Sequence, residues 1–169
     1  MKILILPVIT IFIDQVSKWW IRQAMTVGES ITVLGDFLCI THVQNRGMAF
    51  GIDLGNYMFF TILSILIAGI IGLYFYRMRT EPWFIQLPFV LILSGAIGNL
   101  IDRLLFQSVT DFIDVNIPDI VITSKQIAGI QLPEFILLRW PVFNAADAYV
   151  TVGMVLLFWL MIFRDEKII

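Results

Sequence analysis

Apolar residues fall into four long runs along this chain, at about 3–21, 57–76, 83–103 and 142–163. Each approaches the roughly 20 residues that a helix needs to cross a bilayer's hydrocarbon core. Charged residues are few: Asp14 and Lys18 in the first run, Asp102 and Arg103 at the very end of the third and Asp147 in the last. Between the runs the pattern changes. Ser30–Val43 is rich in β-branched and aromatic residues around a Gly35-Asp36 break, which predicts a short hairpin or small sheet. Phe112–Leu138 has similar β character, punctuated by Pro118, Gly129 and Pro133. The expectation is a single domain: a mainly α, four-transmembrane-helix bundle carrying a small β-rich extracytoplasmic element. Arg77–Pro82 is short enough to make the second and third spans an antiparallel hairpin.

Composition strengthens the membrane reading. Of 169 residues, 59% are hydrophobic and 14% charged, with a mean hydropathy of +0.91. Soluble domains are about 45–50% apolar and about 25% charged, and a chain this short cannot hide the excess from water. A net charge of −2 offers no basic face to nucleic acid. Cys39 has no disulfide partner in the chain, and His42 alone builds no histidine-rich metal site, so no metal is expected.

Basic residues set the orientation. With both termini in the cytoplasm, the inside pieces hold Lys2, Arg77, Arg79, Arg164 and Lys167. The outer segments, about 22–56 and 104–141, are far longer and hold a similar number. The first run is expected to stay uncleaved, because Asp14, Lys18, Trp19 and Trp20 stand where a small-residue cleavage site belongs.

Asp14 and Lys18, four apart, share a helix face and read first as a structural ion pair. Gly95, Ala96 and Gly98 permit close helix approach. Asn99, Asp102 and Arg103 share one face beside them, as a polar cleft lining or as a plain interfacial helix end. Pro141 suits a first helical turn of the fourth span, with Asn144 and Asp147 on one face further down. Asp147 has no basic residue one turn away. If Asp111 meets it, the two carboxyls would share a proton, as in an aspartic peptidase. Spacing leaves Asp102, Asp114 and Asp119 open as other partners for Asp147. Zinc-peptidase and serine-elbow motifs are absent from the sequence. A spatial pairing of Cys39 with His42 stays open.

Five ordered blocks carry a resemblance to the bacterial lipoprotein signal peptidase (signal peptidase II) family. They are Asp14-Gln15-Val16-Ser17-Lys18, Asn45-Arg46-Gly47-Met48-Ala49-Phe50, Gly95 through Arg103, Val109-Thr110-Asp111-Phe112 and Phe143-Asn144-Ala145-Ala146-Asp147. The resemblance implies catalytic Asp111 and Asp147. Asp14, Lys18, Asn45, Gly47, Asn99, Asp102, Arg103 and Asn144 would support them or bind substrate. It implies cleavage of prolipoproteins just before a diacylglyceryl-modified cysteine, with no cofactor, and inhibition by globomycin-type peptides. The setting would be the bacterial cytoplasmic membrane, with the site near the outer face, membrane lipids as neighbours and a monomer sufficient. Phe50, Phe112 and Phe143 could rim the site for acyl chains. Ser94 replaces a frequent family glycine, and the stretch after Asp111 looks longer than usual. A small transporter using Asp14, Asp102 and Asp147 as a proton or cation path is the competing reading. A structural subunit ranks last, since it leaves Asp147 without a purpose.

Overall fold

The computed structural model describes residues 3, 5–49, 52–53, 57–117, 120–122, 126–127, 130–131, 135–137 and 139–163. Phe50, Asp119 and the basic residues Lys2, Lys125, Arg164 and Lys167 lie outside them, as do Pro118, Gly129 and Pro133. The order is α1 (Ile5–Ala24), β1 (Ser30–Leu34), β2 (Leu38–Asn45), β3 (Met48–Ala49), β4 (Ile52–Asp53), α2 (Tyr57–Arg77) and α3 (Trp83–Phe106). Then follow β5 (Val109–Val115), β6 (Ile120–Ile122), β7 (Gln126–Ile127), β8 (Ile130–Gln131), β9 (Phe135–Leu137) and α4 (Ala145–Phe163).

The fold is mainly helical. Three helices, over Met58–Arg77, Trp83–Phe106 and Ala145–Phe163, are long and apolar enough to cross a membrane. Four spans were expected; α1 has the length, at 20 residues, but is not among these three. Its composition explains this, since one face carries Thr10, Asp14 and Lys18. Those three are buried, whereas Ile5, Val8, Ile9, Phe12, Ile13, Val16, Trp19 and Trp20 are exposed. Polar groups inside and apolar groups outside is the reverse of a water-soluble helix.

α3 is the hub, packing on α1, α2 and α4. Its small residues make this possible. A Cβ on Gly95 would overlap the Ala146 carbonyl oxygen of α4, and one on Gly98 would meet the Asp14 carboxylate of α1 at 2.5 Å. α2 is apolar on nearly every side and leaves Met58, Phe59, Ile62, Ile65, Leu66, Ile70 and Leu73 exposed. The α2–α3 connection is the tight turn expected, closed by Glu81 N–H to the Met78 carbonyl at 3.0 Å.

The Gly35-Asp36 break does mark a hairpin: β1 and β2 pair antiparallel across it. Beyond the expectation, β5 joins them in a three-stranded sheet of order β1-β2-β5. The register puts Val43 opposite Asp111 and Asn45 opposite Val109. The sheet thus joins the segment after α1 to the segment after α3, and the short ribbons β3-β4, β6-β9 and β7-β8 are separate two-stranded pairs. The α3–β5 link is abrupt. Gln107 takes a left-handed conformation (φ 58°) and caps α3 through its N–H to the Arg103 carbonyl at 3.0 Å.

Some boundaries differ from the sequence reading, α1 running on to Ala24 rather than ending at 21. α3 runs past 103 to Phe106, and α4 begins at Ala145 rather than near Pro141. Trp140–Phe143 is not helical, because Phe143 exchanges backbone hydrogen bonds with Ile113 of β5. Pro141 is therefore no helix start; Asn144 is.

Candidate active site

Asn144 and Asp147 begin α4 as a reciprocal cap. Asn144 Oδ1 accepts from the Asp147 N–H at 3.1 Å, and Asp147 Oδ2 accepts from the Asn144 N–H at 3.1 Å. This is the capping-box geometry, with Asp in place of Glu. The spacing of three that reads as one helix face is a helix terminus instead. It places the Asp147 carboxylate at the positive end of the helix dipole.

Asp111 comes from β5 and is 3% exposed. Its Oδ1 accepts from Asn144 Nδ2 at 2.6 Å and its Oδ2 from Asn45 Nδ2 at 3.1 Å. Asp147 Oδ1 accepts from Asn99 Nδ2 at 2.7 Å. Asn144 Nδ2 also donates to Asn99 Oδ1 at 3.1 Å. One continuous hydrogen-bond network therefore joins both aspartates to asparagines from three different parts of the chain. Asp111 and Asp147 line one cavity of about 430 Å³ with Asn45, Trp140 and Phe143. A second, of about 510 Å³ between α2, α3 and α4, contains Asp147 again with Asn99, Arg103 and Ser64. Asp147 and Thr151 belong to both, so Asp147 stands where the two clefts meet.

Each asparagine is oriented by a donor at its oxygen. Lys18 Nζ donates to Asn99 Oδ1 at 2.9 Å, the Asp147 N–H occupies Asn144 Oδ1, and the Gly47 N–H donates to Asn45 Oδ1 at 2.9 Å. An amide with its oxygen so engaged turns its NH₂ the other way, here toward a carboxylate. Gly47 is required for this. Its φ is 124°, and a Cβ would overlap the Phe60 ring.

Lys18 and Asp14 are fully buried and paired at 2.9 Å. Asp14 also accepts from the Ala146 N–H at 3.0 Å, which ties the pair to the first turn of α4. Lys18 is thus the structural partner expected and a link to Asn99 as well. Asp102 turns toward α1, 3.8 Å from Lys18 Nζ and 3.5 Å from Arg22 Nη1. Asp114 is held by Thr41 Oγ1 and Arg139 Nε, both at 2.6 Å. Of the other partners considered for Asp147, these two are engaged elsewhere, and Asp119 lies outside the described residues.

Arg103 lines the second cleft with Asp147 and Asn99 and donates to Ser64 Oγ of α2 at 3.2 Å. Other readings need correcting. Phe112 does not rim the site. It packs under the sheet with Ile21 and Met25, while Phe143 does line the cavity. Cys39 and His42 do not hydrogen-bond: the His42 Nδ1 faces the Met25 carbonyl at 3.0 Å. A file of carboxylates for transport is not formed, since Asp14 and Asp102 are both gathered on Lys18. Among the described residues no group of three metal-binding side chains gathers. Sequence reading missed Ser64, Arg22 and Thr110. For Arg22 a signal existed, because it continues the Asp14, Lys18 spacing by four more residues.

Burial is the main cause that pushes the Asp111 pKa up to about 7, with the charge of Asp147 adding to it. The hydrogen bonds from Asn45 and Asn144 pull the other way without cancelling it. A carboxyl poised near neutrality beside a second carboxylate is equipped for proton transfer.

The model of the family described as signal peptidase (SPase) II matches residues 6–163. A lipoprotein signal peptidase of Halothermothrix orenii is 35% identical over 97% of this chain and 97% of its own. One from Clostridium tetani is 34% identical over 98% and 97%. A solved bacterial membrane enzyme superposes with a TM-score of 0.76 at 32% identity, covering 99% of this chain and 94% of its own. With helices fit to cross a bilayer, this is a bacterial membrane protein, and it belongs to the signal peptidase II family of aspartic-type peptidases.

Proposed function

We propose that this enzyme removes the signal peptide from diacylglyceryl-modified prolipoproteins, cutting just before the lipid-bearing cysteine with Asp111 and Asp147 as the catalytic pair. The observation that carries this is the shared cavity with the asparagine network that joins the two carboxyls. Asp111 is the more buried, and its raised pKa supports the protonated role. Asp147 is half-buried at a helix N-terminus that favours an anion, and it opens to both clefts. In this assignment Asp147 takes a proton from water as the water attacks the scissile carbonyl. Asp111 donates its proton to the carbonyl oxygen, and the resulting diol collapses with proton return to the leaving amine.

In this reading α1 crosses the membrane as a fourth span, with its apolar face to lipid and its polar face to α3. Both termini face the cytoplasm, and the sheet and dyad lie near the outer surface. A substrate with two acyl chains then reaches the dyad sideways from the outer leaflet.

The test is cleavage of a diacylglyceryl-modified precursor by purified protein, with and without a globomycin-type peptide. Asp111→Asn and Asp147→Asn should each lower kcat by about a thousandfold, within the range supplied by acid–base groups. Near-normal turnover in either folded variant would sink the dyad.

A further inference from the structure

We propose that Arg22 is a positioning residue, clamping β5 from the face opposite Asp111 and so holding Asp111 at its working place beside Asp147. The inference rests on the dyad reading above. Arg22 lies in the last turn of α1, four residues after Lys18, on the same polar stripe. Its Nη1 donates to Thr110 Oγ1 at 3.0 Å and approaches Asp102 Oδ1 at 3.5 Å. Asp102 Oδ2 in turn accepts the backbone N–H of Thr110 at 2.9 Å. Thr110 is therefore gripped twice, at its main chain by Asp102 and at its hydroxyl by Arg22.

Thr110 immediately precedes Asp111. Consecutive residues of a strand project to opposite faces, so a grip on Thr110 fixes the strand without touching the carboxyl. The position needs such a grip. β5 is the last strand of its sheet, with β2 on one side only. On the other side Phe143 supports Phe112 and Ile113, beyond Asp111. Arg22 and Asp102 secure the segment before it. The guanidinium itself lies over the Phe106 ring at the end of α3, 4.3 Å from its centroid. The cluster thus fastens the ends of α1 and α3 to the strand that bears Asp111.

The experiment measures kcat and KM on a diacylglyceryl-modified precursor peptide for purified Arg22→Met, Thr110→Val, the double variant and Arg22→Lys, beside Asp111→Asn. Arg22→Met keeps the apolar stem, and Thr110→Val keeps the shape of the side chain. Each single variant should lower kcat by about tenfold, a modest misplacement on the scale that orientation controls. KM should stay within about twofold, because substrate contacts are unchanged. The double variant should be no slower than the slower single one, since both remove the same contact. Arg22→Lys, which can still donate to the hydroxyl, should recover much of the rate. Unchanged kcat in folded Arg22→Met and Thr110→Val, with only a lower unfolding temperature, overturns the proposal. So do losses that multiply independently in the double variant. If Arg22→Met does not fold, Thr110→Val decides alone. An inactive Asp111→Asn beside normal clamp variants removes the clamp only; an active Asp111→Asn removes the dyad reading and the clamp with it.

Discussion

Asn45, Asn99 and Asn144 each have their carboxamide oxygen occupied by a fixed donor before their nitrogen reaches an aspartate. That arrangement explains why asparagine recurs in three separate motifs: it must accept on one side and donate on the other. Asp111, so surrounded and buried, has a pKa of about 7 against an ordinary value of 3.8. The unfolded chain therefore loses this proton at lower pH than the folded protein does. Between those two values the folded state binds more protons, and stability falls as pH rises. The unfolding temperature of the wild type should drop between about pH 5 and about pH 8 by more than that of Asp111→Asn, which has no proton there to lose. Parallel curves would remove Asp111 as the source. At this scale the residue types were legible in the sequence and their roles only partly so. Asn144 and Asp147 looked like one face a turn or two into the fourth span, but they form the capping box at its start, because whether a spacing of three marks a face or a terminus depends on where the helix begins. Phe112 follows Asp111 directly and was expected at the rim of the site, but its side chain packs with Ile21 and Met25.

Helix contact in this protein depends on which glycines face a neighbour. Gly95 and Gly98 sit where a Cβ would strike α4 backbone or the Asp14 carboxylate, and a Cβ on Gly153 would strike Ile92 and the Pro88 carbonyl. Gly69 and Gly72 of α2 have nothing within 4 Å of a Cβ position. Gly95→Ala should force α3 from α4, lowering the unfolding temperature sharply and abolishing cleavage, because the Ala146 carbonyl cannot move without breaking the α4 cap. Gly72→Ala should be tolerated, and its better helix propensity would add up to about 1 kcal/mol. Equal effects of the two substitutions would show that α3–α4 approach is not limiting. The hairpin of β1 and β2 was readable from its turn and alternation. The β2–β5 pairing was not, because it joins segments some 65 residues apart and no local pattern encodes a distant partner. That pairing brings Asn45 to Asp111.

For the whole molecule, the surface inverts the soluble rule: apolar side chains lie outside, while Asp14, Lys18, Asp102 and Asn144 are fully buried. Lipid is the solvent for which this surface is suited. The proposed topology then puts the Arg79–Thr80 turn in the cytoplasm and the β1–β2 hairpin outside. A membrane-impermeant maleimide added to whole cells should label Asp36→Cys and leave Thr80→Cys unlabelled until the membrane is opened; the reverse pattern would invert the orientation. The sequence by itself determined the solvent, the helical runs and the motif residues, since hydropathy and spacing are local properties written along the chain. Only the tertiary structure decided that Asn144 starts α4, that Lys18 and Gly47 aim asparagines at two carboxyls, and that Arg22 reaches Thr110. The Gly47–Asn45 and Asn144–Asp147 bonds are local, but what they serve joins segments far apart in the chain, and exists only once α3 has gathered α1, α4 and β5 around it.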